Sequence, residues 1–396
     1  MKNKKIPLIT LLASSLFLGG CTKSLEEQDP KLFSKLEAQL GKQLFFDPIL
    51  SKNQTQSCST CHNPEHGFVD NRDNGVLGAG SLGDDGKSIG DRNTPTASYA
   101  SFSPHFHFDN KKKQFVGGQF WDGRAAHLKE QAGGPPLNPV EMNLSSKKEL
   151  MQRIIKREDY KEQFIKLYGK DVFEDSDKFY DSLTGAIASF ESTKEFAPFD
   201  SKYDRFLKGE YDLTPLEDLG RSLFFSNNNT SCASCHMLKK EDALKDTFTN
   251  YQYHNIGTPQ NHLLMEKNVV DKDTFIDHGL MNNPQVKNKD NAHMYDGKMK
   301  VPTLRNVAVT APYMHNGVFQ KLSTVVAFYD KYTNQEATIN PETKKPWKEP
   351  EVKVAKDDLE LLQQGRPLNE RKIKALVAFM NLLTDKKYEH LIQKDN

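Results

Sequence analysis

The chain has 396 residues, enough for two or three ordinary domains. With 36% hydrophobic and 27% charged residues it has the composition of a globular protein, not of a membrane bundle. A net charge of +1, with no basic stripe interleaved with aromatics, does not suggest a nucleic-acid binder.

Residues 1–20 read as a lipoprotein signal peptide. Lys2, Lys4 and Lys5 open it, the apolar run IPLITLLASSLFLGG follows, and Leu18-Gly19-Gly20-Cys21 closes it. The run is too short to need reading as a spanning helix. Cleavage before Cys21 would leave a thiol that carries lipid; an ordinary signal peptide with a free cysteine is the alternative. Residues 21–29 are polar and form a tether. The segment predicts an exported protein held by acyl chains on the periplasmic side of a bacterial membrane.

The first helix has Asp29 as N-cap and Pro30 at its first position, with Leu32, Phe33, Leu36, Leu40 and Leu44 on one face. It runs into LGKQLFFDPILSKNQTQSCSTCH, residues 40–62. Residues 70–95 are rich in Gly, Asp and Asn and read as a long loop. SSKKELMQRIIKREDYKEQFIKLYG and SDKFYDSLTGAIASFESTKEF carry apolar residues at helical spacing. Thr214, Pro215 and Glu217 then form a capping-box signature before LGRSLFFSNNNTSCASCH, residues 219–236, which repeats the earlier phrase. A second long loop covers 255–300, NPETKKPWKEPEVK reads as an exposed excursion, and ERKIKALVAFMNLLTD is a last helix. Alternating strands are scarce. The fold class is therefore all-α: two related domains in tandem, 30–205 and 206–396, with long wrapping loops.

Of the five cysteines, Cys21 is assigned to lipidation. The other four form two Cys-x-x-Cys pairs, Cys58/Cys61 and Cys232/Cys235, followed by His62 and His236. This is the pattern of c-type haem attachment: two thiols on one turn form thioethers to the haem vinyls, and the adjacent His sits under the iron. A structural zinc site would need the pairs closer in sequence, and a thioredoxin-like site would need a βαβ context. Two disulfides remain a formal alternative in an oxidising compartment.

Taken together, LGKQLFF…CSTCH, DRNTPT, QFWDGRA, a Gln131-to-Glu141 pair ending in PVEM, LGRSLFF…CASCH and VPTLRNVAVTAPYMHNGVF resemble the bacterial dihaem cytochrome c peroxidase family, including its relatives that mature methylamine dehydrogenase. The resemblance covers nearly all of residues 30–385. It implies a peroxidatic N-terminal haem with His62 as proximal ligand, and Gln131 and Glu141, with Pro135 between them, on its distal side. It implies that Trp121 lies between the haems. It implies a calcium ion held by the Asn93 side chain and the carbonyls of Thr310 and Pro312. The C-terminal haem, on His236, would relay electrons.

Two departures matter. Ordinary members carry a methionine ligand seventeen residues after the Pro312 position; here Tyr329 stands there, as in the tryptophan-oxidising branch. An anionic oxygen ligand stabilises ferric iron, where a thioether raises the potential. Met314, His278, His293 and His315 are rival ligands. The loop NRDNGVLGAGSLGDDGKSIGDRN has no histidine to block the first iron, so that site is expected to stand open; His105 and His107 in SPHFHFDNKKK are the conceivable substitutes. The expected activity is reduction of hydrogen peroxide with electrons from a small cytochrome c or cupredoxin. The alternative is a peroxide-dependent oxidase that modifies side chains of a partner protein. The resemblance also admits a homodimer.

Overall fold

The computed structural model describes residues 24–226, 228–238, 245–268 and 275–393. Cys21 and the signal segment lie outside the described residues. Among the described residues no helix is long and apolar enough to cross a membrane.

Helices dominate. Helix Pro30–Phe46 starts where the sequence places it, with the Asp29 side chain accepting from Leu32 N at 2.9 Å. Its apolar face is shorter than expected. Leu40, Gly41, Leu44 and Phe45 are buried and Phe33 and Leu36 are half-buried against the same core, but Leu32, at the start of the helix, is 40% exposed. Helix Pro215–Phe224 begins with the predicted capping box: Thr214 and Glu217 each bond the other's backbone N–H.

The repeated Leu-Gly has a packing reason. A Cβ on Gly41 would lie 1.8 Å from the Ala186 carbonyl oxygen and 3.0 Å from Phe190 Cβ, on helix Ser176–Glu191. A Cβ on Gly220 would lie 1.8 Å from the Ala375 oxygen and 2.9 Å from Phe379 Cβ, on helix Glu370–Asn381. The same close crossing is thus built twice, since only a residue without a side chain lets two backbones meet at that distance. Beside each crossing a phenylalanine of the repeat packs on the partner helix, Phe45 on Phe190 at 5.5 Å and Phe224 on Phe379 at 5.0 Å. Each fully buried Phe contributes roughly 1.5–3 kcal/mol.

The apolar interior gathers around these crossings. One large cluster runs from Leu40 to Phe196, the other from Tyr203 to Leu383. The periodic stretch 145–169 is carried by two helices, Lys147–Ile155 and Glu158–Tyr168, broken at Arg157, whose backbone is extended. Among the described residues, strands are confined to two antiparallel ribbons, His107–Asp109 with Gln114–Val116 and Tyr253–His254 with Met299–Lys300.

Polar side chains stitch the two clusters together. Tyr99 donates to Asp385 at 2.6 Å, and Arg92 forks onto Asp277 at 2.6 and 2.7 Å while reaching Asp122 at 2.7 Å. Arg305, fully buried, pairs with Asp204 through two bonds of 2.6 and 2.9 Å and lies under the rings of Tyr99, Phe199 and Phe248. NPETKKPWKEPEVK is not simply an exposed excursion. Trp347 is half-buried against Phe319 and Phe328, because its indole N–H is held by the Ala337 carbonyl at 2.8 Å.

Candidate active site

Each Cys-x-x-Cys forms a single helical turn, Cys58–Cys61 and Cys232–Cys235, closed by the following histidine: His62 N bonds Cys58 O and His236 N bonds Cys232 O, both at 2.9 Å. None of the four thiols is in a disulfide. Burial pushes the Cys61 thiol up to about 11 and raises Cys58 and Cys232 as well.

The histidines are posed alike. His62 Nδ1 donates to Phe68 O at 3.1 Å, and His236 Nδ1 donates to Phe248 O at 2.8 Å. Both acceptor residues adopt a left-handed backbone, φ 57° at Phe68 and 51° at Phe248, rare for bulky side chains. Tying Nδ1 fixes the ring and leaves Nε2 as the lone-pair face, the arrangement a metal-bound imidazole needs. Burial lowers both pKa values, His236 to about 4, which favours the neutral ring. Two thiols and one oriented imidazole on a short turn fit a covalently held haem at both places.

The second turn opens into a cavity lined by Cys232, Cys235, His236, Tyr329, Met314 and His315, with Trp121 at its wall. Tyr329 comes from helix Leu322–Asp330. Burial, then the two thiols, raises its pKa far above the phenol value, and its hydroxyl has no hydrogen bond within the described residues. An enclosed phenol without a protein partner suits a ligand role. Met314 and His315 share the cavity, and the His315 Nε2 is buried without a hydrogen bond. His278 is instead bonded to Asp296 at 2.6 Å and His293 is exposed, and neither lines the cavity.

Glu141 is half-buried beside the first turn. Burial raises its pKa, Arg124 pulls it back and Asp91 adds to the rise. It is near enough to act electrostatically on the Cys61 thiol. Its backbone is pinned by Asp84 N on Glu141 O at 2.7 Å, which ties loop 70–95 to it. Gln131 is half-buried on helix Leu128–Ala132. His105 and His107 are both exposed, and the His105 ring lies 4.9 Å from His127.

Trp121 belongs to the first half of the chain yet lines the second cavity. Its indole donates to Asn93 O at 2.8 Å, and its own carbonyl accepts from Lys300 N at 2.8 Å. Asn93 lies against the segment that follows Thr310 and Pro312: Asn93 N bonds His315 O at 2.7 Å, and its amide reaches Gly78 O, the glycine over which Pro312 packs. Thr310 is two residues away in chain and bonds Val307 O. Among the described residues no three His, Cys, Asp or Glu side chains cluster for a metal; amide and carbonyl oxygens suit a hard cation such as calcium.

Three groups carry no signal in the sequence. Glu191, 5% exposed, acts on the Cys58 thiol, and burial pushes it up to about 8. His254 lines the second cavity; burial presses its pKa down, but Asp358 at 2.7 Å helps lift it to about 9. Trp347 is the third. All three acquire meaning only from partners far away in the chain.

A family model described as di-haem cytochrome c peroxidase matches residues 35–212. The chain is 48% identical to the methylamine utilization protein MauG of Paracoccus denitrificans over 360 residues, 90% of each chain. It is 31% identical to the cytochrome c551 peroxidase of Pseudomonas aeruginosa over 323 residues, 80% of this chain and 77% of that one. The diheme peroxidase BthA of Burkholderia thailandensis superposes with a TM-score of 0.80 at 29% identity, covering 91% of this chain and 88% of that chain.

Proposed function

Because the chain belongs to the di-haem cytochrome c peroxidase family, we propose that it is an exported peroxidase that reduces hydrogen peroxide to water with electrons from a cytochrome c or cupredoxin. The observation that carries this reading is Glu141, a carboxyl of raised pKa beside the first attachment turn. The haems, when bound, supply the iron that takes peroxide and the route for electrons. Glu141 then accepts a proton from the inner peroxide oxygen and returns it to the outer one, a task for which a raised pKa is suited. Gln131 orients the peroxide by hydrogen bonding. Trp121, held between Asn93 and Lys300, carries an electron between the two halves. Calcium at Asn93, Thr310 and Pro312 would brace that contact, and lipid on Cys21 would hold the enzyme at a periplasmic membrane face. Steady-state peroxide consumption with reduced cytochrome c tests the reading; absence of turnover would overturn it.

A second reading, a peroxide-dependent oxidase of a partner protein's side chains, is favoured by Tyr329 and by the similarity to MauG. It predicts slow turnover with cytochrome c and a low-spin His/Tyr signal in electron paramagnetic resonance.

A further inference from the structure

Trp347 sits on an aromatic path that starts at the second cavity. The Tyr329 ring lies 5.9 Å from Phe328, and Phe328 lies 5.7 Å from Trp347, both nearly perpendicular. Phe328 is fully buried, so no water interrupts the path. Phe319 closes on Trp347 from another side at 5.8 Å, and the Ala337 carbonyl fixes the indole N–H. The Lys331 ammonium lies over Phe328 at 4.0 Å and Tyr332 at 4.8 Å. Trp347 itself is half-buried, so its indole meets the surface, where Lys344, Lys345 and Lys348 are exposed. Glu342 is turned inward onto the backbone N–H groups of Gln320 and Lys321.

We propose that Trp347 is the surface relay through which one-electron equivalents pass between an external redox protein and the Tyr329 side of the second cavity. This rests on the peroxidase reading and on Tyr329 facing the C-terminal haem. Edge-to-face rings in contact, without water between them, give a continuous route from solvent to that cavity. Each passage takes one electron from a reduced donor and delivers it inward by way of Trp347, Phe328 and Tyr329. Two passages and two protons convert one hydrogen peroxide into two waters. The exposed lysines beside the indole favour a donor with an acidic face. If no donor is present, the two electrons are drawn from the indole itself: Trp347 takes one oxygen atom from water and releases two protons, while peroxide takes up two electrons and two protons and becomes two waters.

The test uses the holoprotein. It is treated with stoichiometric peroxide without a donor, digested, and mapped by mass spectrometry. Trp347 should gain one oxygen, while Met294, a more readily reached thioether at 59% exposure, reports direct attack by free peroxide. In parallel, Trp347→Phe should lower turnover by an order of magnitude with a reduced cupredoxin of acidic isoelectric point. Turnover with a small-molecule donor should be unchanged, and Trp347→Tyr, which restores an oxidisable ring, should recover much of the cupredoxin rate. Oxidation confined to Met294, or equal cupredoxin rates in the wild type and Trp347→Phe, would overturn the relay. If the unaltered protein consumes no peroxide even with the small-molecule donor, the peroxidase reading falls instead, and the relay with it.

Discussion

Glu141 and Glu191 are both carboxyls with raised pKa values beside an attachment turn, yet they differ in what they can reach. Glu141 keeps a partly open face, whereas Glu191 is 5% exposed. Glu141→Gln, which cannot shuttle a proton, should slow peroxide turnover about 10²–10⁴-fold. Absorbance spectra should show both haems retained. Glu191 yields a stability prediction. In the unfolded chain it loses its proton near 4.5, and in the fold near 8. Across that window the folded state binds more protons, so stability falls as pH rises. Glu191→Gln should flatten the decline, and melting curves of the holoprotein across the window would check it. The motif residues were legible because attachment chemistry confines two thiols and a ligand to five consecutive positions. Glu191 and Trp347 were not, since a Glu in a helix or a Trp in a Lys/Pro stretch means little until its neighbours are known.

The two close helix crossings make the same demand for glycine, and a neighbouring helical glycine does not share it. Gly41→Ala or Gly220→Ala puts a methyl group into a backbone carbonyl of the partner helix, and each should cost at least about 3 kcal/mol. Gly185→Ala, on the same helix as Ala186, meets only Lys129 Cε at 3.6 Å and Glu37 Oε1 at 3.8 Å. It should be neutral or stabilising by about 0.5–1 kcal/mol, since alanine favours a helix interior. Denaturant titrations of the three variants would show the contrast. Helix starts were readable because their caps are local: Asp29-Pro30 and Thr214-Pro215-x-Glu217 act within one turn. Where a helix is covered is not local, which is why Leu32 was placed on a buried face and is exposed.

Across the whole molecule, the two apolar clusters share a polar seam of buried charge. Arg92 has 14% side-chain exposure and bonds carboxylates at 8% and 5%. Removing it strips Asp277 of its forked partner and leaves Asp122 to the half-exposed Arg124, so Arg92→Ala should cost about 3–5 kcal/mol. Calorimetry of the wild type should give one transition; two well-separated transitions would contradict a stabilising seam. The repeat in the sequence announced two similar units, but not their docking. Arg92, Tyr99 and Asp385 look like ordinary polar residues in the chain, and their pairing spans up to 286 positions.

Phe68 and Phe248 hand their peptide oxygens to His62 and His236 in the same way. A peptide oxygen neither titrates nor swings, so both imidazoles are held by the same kind of fixed partner. Any gap in midpoint potential between two haems held there would then be sought on their far faces, where the cavity beside the second turn carries the Tyr329 phenol. Evolution, or an engineer, could retune either centre there without disturbing its foundation.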